Sequence, residues 1–319
     1  MIYNILIIGR TPPPIGGVSI HTSRLLDLCE ELNIKYEFYD LQKFNLITFL
    51  KAILFSNKSH LHANNPILLF LYSLICFLLQ KHSIITIHGN LGTYNYFLTY
   101  FEKLSLRLCT TPITLNNYSF ETAKKLNVNT RKLSAFIPPI KTIALSYEYL
   151  NKINSTGSKE NTLFCTNAYD YVFDKEGNEI YGIFSLVDYF NKSPNKRLVI
   201  SDPKGSYFSY SKNNNIKIEK NIVFLTGDHS FFEVLKLANC FIRNTSTDGD
   251  SLSVKEALFL GVSVIATNCV DRPPGVTLIK CKNSWSLENA INKIKFNIVI
   301  KQNIQPINCG IEIIDLYRN

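Results

Sequence analysis

The chain has 319 residues, is 46% hydrophobic and carries a formal net charge of +9. That is enough apolar material for a full core and, at about 150 residues per domain, for two domains, which excludes a disordered or low-complexity chain. Eight cysteines are scattered with no C-x-x-C pair and no histidine at zinc-ligand spacing, so neither a disulfide framework nor a structural metal is indicated and a reducing cytosol fits best.

The first segment, Met1 to Arg10 (MIYNILIIGR), lacks the basic region and long apolar run of a secretory signal and reads as a buried strand over Tyr3 to Gly9. A Pro/Gly loop (GRTPPPIGG) follows, then an amphipathic segment from Val18 to Leu32 and a strand, YEFYDL, at Tyr36 to Leu41. The alternation continues. A helix (LITFLKAILF) precedes a short strand near His60 to Ala63, the apolar run Ile67 to Leu79 and the strand SIITIH at Ser83 to His88. The Ile67 to Leu79 run is shorter than the roughly 20 residues that span a bilayer and reads as a core helix. A further helix, the strand PITL near Pro112 and the helix SFETAKKL complete a first series, predicted to occupy residues 1–145.

Residues 146–160 turn polar and read as a linker. A second series, predicted over 161–300, opens with NTLFCTNA and continues with RLVISD, NIVFLTG, NCFIRN and VSVIAT. Between them lie helical runs such as SFFEVLKLA and SVKEALFLG. Strictly alternating strands and helices predict parallel sheets covered on both faces, hence two Rossmann-like halves with a cleft between them. Residues 301–319 form a C-terminal segment expected to pack back on the first half. Ligands of such sheets bind beyond the carboxyl ends of the strands, so the loops after Gly9, His88, Ala168, Asp202, Gly227 and Arg243 are the expected site.

Among these loops, STDGD joins the strand NCFIRN to the helix SLSVKEALFLG, which places a helix N-terminus at the carboxyl edge of the second sheet. Free N–H groups and the positive end of the helix dipole suit a phosphate there, and Gly249 allows close backbone approach. The charge of +9 also calls for an acidic partner. Its Lys and Arg residues are spread along the chain instead of forming one block, which argues against nucleic acid and leaves a phosphorylated small molecule or an anionic membrane.

The run D-G-D-S-L-S-V-K-E-A-L-F-L-G-V-S-V-I-A-T, with Asp248 and Glu256 separated by seven residues, resembles the signature of the retaining GT-B glycosyltransferases of group 1, family four. The loop PPPIGGVSIHTSRLL, the His88–Gly89 pair, Ile-Pro-Pro near residue 138 and the final IIDLY are also similar. The resemblance covers both halves and implies a GT-B fold and sugar transfer from a nucleotide diphosphate sugar, a UDP-sugar, to a glycan or lipid-linked acceptor in surface polysaccharide assembly such as O-antigen or capsule. The enzyme would then be cytoplasmic, with peripheral contact at the inner membrane face.

The resemblance also implies roles for single residues. Glu256 would accept bonds from the ribose, Asp248 would hold donor-sugar hydroxyls, and the amides around Ser251, Leu252 and Ser253, with Gly249 and Asp250, would bind the diphosphate. Gly16 and Gly17 would approach phosphate or acceptor, and His88 would contact the donor sugar. No metal or cofactor is required in this scheme. The sequence departs from the family at Asp248, where Glu is usual, and in the loop TNAYDYVFDKEGNEIYG, where Asn167 stands in place of the usual Gly-Arg. Lys175, Lys204 and Arg243 are the cations open to the diphosphate, and Glu179 and Tyr181–Gly182 are further candidates for the same pocket.

Plainer readings stand beside these. Ser253 and Glu256 fit an S-x-x-E capping box, Asp248 and Asp250 suit a turn, and His88 suits a hydrogen-bonded core position. Gly16 and Gly17 suit a tight turn with close helix–strand packing, and His21, His60, His62, His82 and His229 have no comparable functional context. Two other functions share the architecture: a nucleotide-sugar epimerase and a non-catalytic subunit that binds glycan or a partner.

Overall fold

The computed structural model describes residues 3–13, 16–174, 176–248, 251–281, 283–294 and 308–318. It divides into two compact units, Met1–Ile140 with Ile307–Asn319, and Lys141–Pro306.

The first unit contains β1 (Tyr3–Gly9), α1 (Gly17–Glu31), β2 (Glu37–Asp40), α2 (Leu46–Leu54), β3 (Ser56–His62), α3 (Pro66–Leu78), β4 (His82–Ile87), α4 (Tyr96–Leu108), β5 (Thr111–Thr114), α5 (Asn117–Lys124) and β6 (Arg131–Lys132). The strands form one parallel sheet in the order β2-β1-β3-β4-β5-β6. Alternate residues of β1 serve opposite faces. Leu6 and Ile8 pack with Phe49, Leu69, Tyr72 and Leu106 beneath α2, α3 and α4. Ile5 and Ile7 pack with Leu25 and Leu28 of α1 and with Ile313, Ile314 and Tyr317 near the C-terminus.

The second unit contains α6 (Tyr147–Asn154), β7 (Thr162–Asn167), α7 (Ile183–Asn191), β8 (Lys196–Ser201), α8 (Ser206–Asn213), β9 (Ile222–Leu225), α9 (Phe231–Leu237), β10 (Cys240–Arg243), α10 (Leu252–Phe259), β11 (Ser263–Thr267), β12 (Val276–Ile279) and α11 (Ser284–Lys293). Its parallel sheet runs β12-β11-β10-β7-β8-β9. Phe164, Leu198, Ile200, Ile242 and Ile265 meet α7, α8 and α11 on one face, and Leu163, Cys165, Val199, Phe241 and Val264 meet α6, α9 and α10 on the other. A final helix, α12 (Cys309–Arg318), belongs to the first unit.

Asparagine starts many of these helices. Asn45, Asn65, Asn95, Asn116 and Asn283 each accept a backbone N–H of the first turn of α2, α3, α4, α5 and α11. An Asn oxygen satisfies a donor that the helix itself leaves open, so the abundance of Asn has a structural use here.

The stretch expected as a linker, 146–160, is instead folded into the second unit. Ser146 caps α6, Ile153 is buried, and the Tyr149 hydroxyl donates to the carbonyl of Thr226 at 2.8 Å. Buried Arg197 of β8 donates to the Thr156 hydroxyl at 2.9 Å and to the carbonyls of Ile153 and Ser158 at 3.0 and 3.3 Å. The polar composition that suggested a linker belongs to the outer face of a short helix, whose Tyr149 and Ile153 supply the inward stripe at four-residue spacing.

Candidate functional site

In a doubly wound sheet the ligand crevice lies at the carboxyl ends of the two strands where the chain reverses its direction of travel across the sheet. Each unit has one such point. In the second sheet, β7, β8 and β9 step one way and β10 returns to the other side of β7, so the reversal lies between Asn167 and Arg243. These residues meet: an Arg243 Nη1 proton points to Asn167 Oδ1 at 3.4 Å, and Asn167 Nδ2 donates to Ser253 Oγ at 3.0 Å in the first turn of α10. The guanidinium also lies over the Tyr181 ring, 5.2 Å from its centroid.

Arg243 is further held by Asp248. Its Nε and Nη2 donate to Asp248 Oδ2 and Oδ1 at 3.0 and 2.8 Å, and Arg272 Nη1 donates to Oδ2 at 2.8 Å. The three side chains are 12%, 7% and 2% exposed. Burial pushes the Asp248 carboxyl up, but the charges and hydrogen bonds of Arg243 and then Arg272 outweigh it and hold the group below the ordinary carboxylate range. Asp248, expected at donor hydroxyls, is thus the shared anion of two guanidiniums. Arg272 also donates through Nε to the Thr267 carbonyl at 3.0 Å, and its Nη2 lies 3.6 Å from Cys269 Sγ. Arg243 has five N–H groups, of which three serve these contacts and two have no partner among the described residues.

Glu256 lies buried in α10, 5% exposed. The N-cap of α10 is Ser251, so Ser253 is the second helical residue and the Ser253–Glu256 capping box does not form. A capping serine must sit outside the helical conformation, whereas the Ser253 hydroxyl accepts from Asn167. Leu252 opens the helix. Gly249, Asp250 and Lys175 lie outside the described residues.

Lys204 bonds Asp170 Oδ2 at 2.7 Å and covers the Tyr169 ring, so its contacts run to that loop and not to Arg243. Glu179 accepts the Ile183 and Phe184 amides and caps α7. Gly182, with φ of 59°, has a structural reason: a Cβ there would stand 2.5 Å from the Asn244 carbonyl oxygen.

In the first sheet the reversal lies between β1 and β3, at Gly9 and His62. Close helix–strand packing here is the work of Gly9, where a Cβ would meet Thr22 Cγ2 at 3.0 Å. Gly16 and Gly17 are different. Among the described residues a Cβ on Gly17 would meet nothing within 4 Å and one on Gly16 only Ser19 Oγ at 3.9 Å, and neither glycine has positive φ. Neighbouring side chains therefore give no reason for that pair to be glycine.

His88 follows β4 and lies beside His62, with His62 Nδ1 and His88 Nε2 3.3 Å apart. His21 of α1 completes a group in which one ring nitrogen of each lies within 4.8 Å of the others. Burial, followed by the neighbouring imidazoles, holds His62 and His88 well below the ordinary histidine range. His60 is also buried, its nitrogens bonded to the Tyr317 and Thr86 hydroxyls at 2.7 Å each. Sequence reading missed this grouping and Arg272. The H-x-H of β3 pairs only His60 and His62 on one face, and nothing in it points to His21 or His88. No sequence signal marked Arg272.

No protein-family model matches the chain, and no curated protein matches it by sequence. Solved structures do match in shape. Sucrose-phosphate synthase from Thermosynechococcus elongatus is similar at TM-score 0.67 and 15% identity, with 99% of this chain and 98% of that one covered. HepE of Anabaena in complex with UDP-glucose is similar at 0.65 and 13%, covering 98% and 94%. The UDP-GlcNAc 2-epimerase of Methanocaldococcus jannaschii is similar at 0.61 and 11%, covering 99% of each chain. With two six-stranded parallel sheets flanked by helices, this chain has the GT-B fold of two Rossmann-like domains.

Proposed function

We propose that this protein is a glycosyltransferase that moves a sugar from a nucleotide diphosphate sugar, a UDP-sugar, to a hydroxyl of a glycan or lipid-linked acceptor, with retention at the anomeric carbon. The observation that carries the reading is the array Arg243–Asn167–Ser253 at the reversal point of the second sheet, at the start of α10. A guanidinium, a carboxamide, a hydroxyl and a helix N-terminus are the donors that a diphosphate requires, and they stabilise the charge that develops as the sugar departs. Glu256 accepts the ribose hydroxyls. Asp248 keeps Arg243 in place, and the departing phosphate oxygen takes the acceptor's proton. HepE, similar in fold, has been solved with UDP, with UDP and glucose, and with UDP-glucose.

A thermal-shift series with UDP, GDP and their sugar conjugates tests this. UDP at 100 times its Kd should stabilise the parent by about 2.7 kcal/mol. Asn167→Ala and Glu256→Gln should each weaken binding by roughly 10- to 100-fold, the scale of a hydrogen bond to a charged group. Equal stabilisation of the parent and both variants would remove these residues from the site. Incubation with UDP-sugar alone separates the epimerase fold relatives: isomerised donor without acceptor would overturn the transferase reading in favour of that activity.

The acceptor side of the proposal rests on α2 and α3. Among the described residues no helix is long and apolar enough to cross a membrane. Yet Leu46 and Ile47 of α2 are 59% and 65% exposed, Phe77 and Leu78 of α3 57% and 69%, and Lys43 and Lys51 are exposed nearby. Apolar side chains with a cationic fringe suit an anionic lipid surface and a lipid-linked acceptor. The double change Ile47→Glu with Leu50→Glu should reduce sedimentation with anionic vesicles by about tenfold or more, since each large apolar side chain contributes about 1.5–3 kcal/mol on burial. Absence of binding by the parent would eliminate the membrane contact, and salt-insensitive binding would remove the cationic fringe from it.

A further inference from the structure

The histidine group of the first unit has a geometry that neither the core nor the donor chemistry requires. His21, His62 and His88 come from α1, the last residue of β3 and the residue after β4, and they meet at the carboxyl edge of the sheet. Their rings form a near-equilateral triangle, with centroid separations of 5.2, 5.1 and 5.6 Å. Gly9 permits the approach, because a side chain there would meet Thr22 at 3.0 Å and the His62 Cβ at 3.4 Å.

Imidazoles are poor choices for filling a core, since each buries two polar nitrogens that need partners. His62 Nε2 is buried without a hydrogen-bond partner among the described residues. His21 Nδ1 lies 2.9 Å from the Ala135 carbonyl oxygen. A carbonyl only accepts, so Nδ1 carries the proton and Nε2 carries the lone pair, the tautomer and outer bond found in metal-ligating histidines. His60 is not part of the set. Both its nitrogens are taken by hydroxyls, and its ring backs His62 at a centroid distance of 4.0 Å.

We propose that His21, His62 and His88 form a three-imidazole binding site for a divalent transition cation of the zinc class. Imidazole without carboxylate selects Zn2+, Co2+, Ni2+ or Cu2+ over Mg2+ or Ca2+. His88 is the partly exposed member, which leaves a route from solvent to a fourth position for water or a ligand oxygen. The site is built wholly from residues of the first unit, and it gives His88 a partner other than the donor sugar.

The test uses the full chain without an affinity tag, stripped of metal by chelator. Zn2+ affinity is read by competition with a chromophoric chelator, and Co2+ by its visible absorption. The expected result is one metal per chain, with the intense visible bands of a four-coordinate cobalt site. His62→Gln and His88→Gln should each weaken binding by about 100-fold or more, beyond the 10- to 100-fold typical of lost outer-shell partners. His82→Gln, outside the group, should bind as the parent does. Far-UV circular dichroism reports whether each variant is folded. Where one is not, the imidazole nitrogen resonances of the 15N-labelled parent decide: Zn2+ should shift those of His21, His62 and His88 and leave His82 and His229 in place. Metal uptake by the parent no greater than by the His62→Gln, His88→Gln double variant overturns the proposal, as do unshifted resonances of the three histidines. Neither readout involves UDP or sugar transfer, so failure here is separate from failure of the transferase reading.

Discussion

Asp248→Asn is expected to lower the free energy of unfolding by about 3–5 kcal/mol, the scale for removing one partner of a buried ion pair. The change is nearly isosteric, so little packing is lost, but Arg243 and Arg272 would face each other at 12% and 2% exposure without their common anion. Urea denaturation at neutral pH measures the loss. The pH dependence supplies a second check. The folded carboxyl is held below its ordinary range by the two guanidiniums, so its stabilisation is complete above the unfolded value of about 3.9 and is lost as pH falls from there through the folded value. The Asn variant should lack that acid limb. A variant of parental stability that loses only turnover would instead return Asp248 to the donor sugar, where the motif resemblance puts it.

Tyr317→Ala should cost about 3–5 kcal/mol in the first unit, as expected for removal of a large buried aromatic side chain. Tyr317 is fully embedded among Ile5, Ile7, Leu25 and Ile313, and its hydroxyl bonds His60 Nδ1 at 2.7 Å. Lys58 Nζ adds a tie to the end of α12 through the carbonyls of Leu316 and Tyr317 at 3.3 and 3.2 Å. Tyr317→Phe keeps the packing and leaves one buried imidazole nitrogen without its partner, so about 1–3 kcal/mol is expected. Chemical denaturation of both variants distinguishes the contributions. If the Ala variant were as stable as the Phe variant, α12 would not be part of the first core.

The two series of strands and helices were legible because parallel strands buried on both faces read as short apolar runs separated by amphipathic ones. That signal placed β1, β4, β7, β8, β10 and β11 within a residue or two of their observed bounds. It failed where the apolar component was small. The helix α6 was hidden in a polar stretch, and β12, with Thr277 and an exposed Leu278, lies at the sheet edge where burial is partial.

The candidate site divides in the same way. Motif spacing located Asp248, Glu256, Ser253 and the start of α10, since these residues are close in sequence and one loop and one helix carry them. It could not show that Asn167, Ser253, Arg243, Asp248 and Arg272 form one hydrogen-bonded chain, because two strands, a helix and two loops must come together to make it. Nor could it assign the capping role, which depends on which serine leaves the helical conformation.

By itself, then, the sequence determined the α/β alternation and the two parallel sheets, both of which follow from local periodicity and neighbouring residues. The tertiary structure alone decided that Asp248 serves two arginines, that Gly9 and not Gly16–Gly17 is the close-packing glycine, and that three histidines from α1, β3 and the residue after β4 converge. The reason is physical: hydrogen bonds, ion pairs and ring contacts depend on separations of a few ångströms between residues that can be more than 250 positions apart, which only the packed strand order sets.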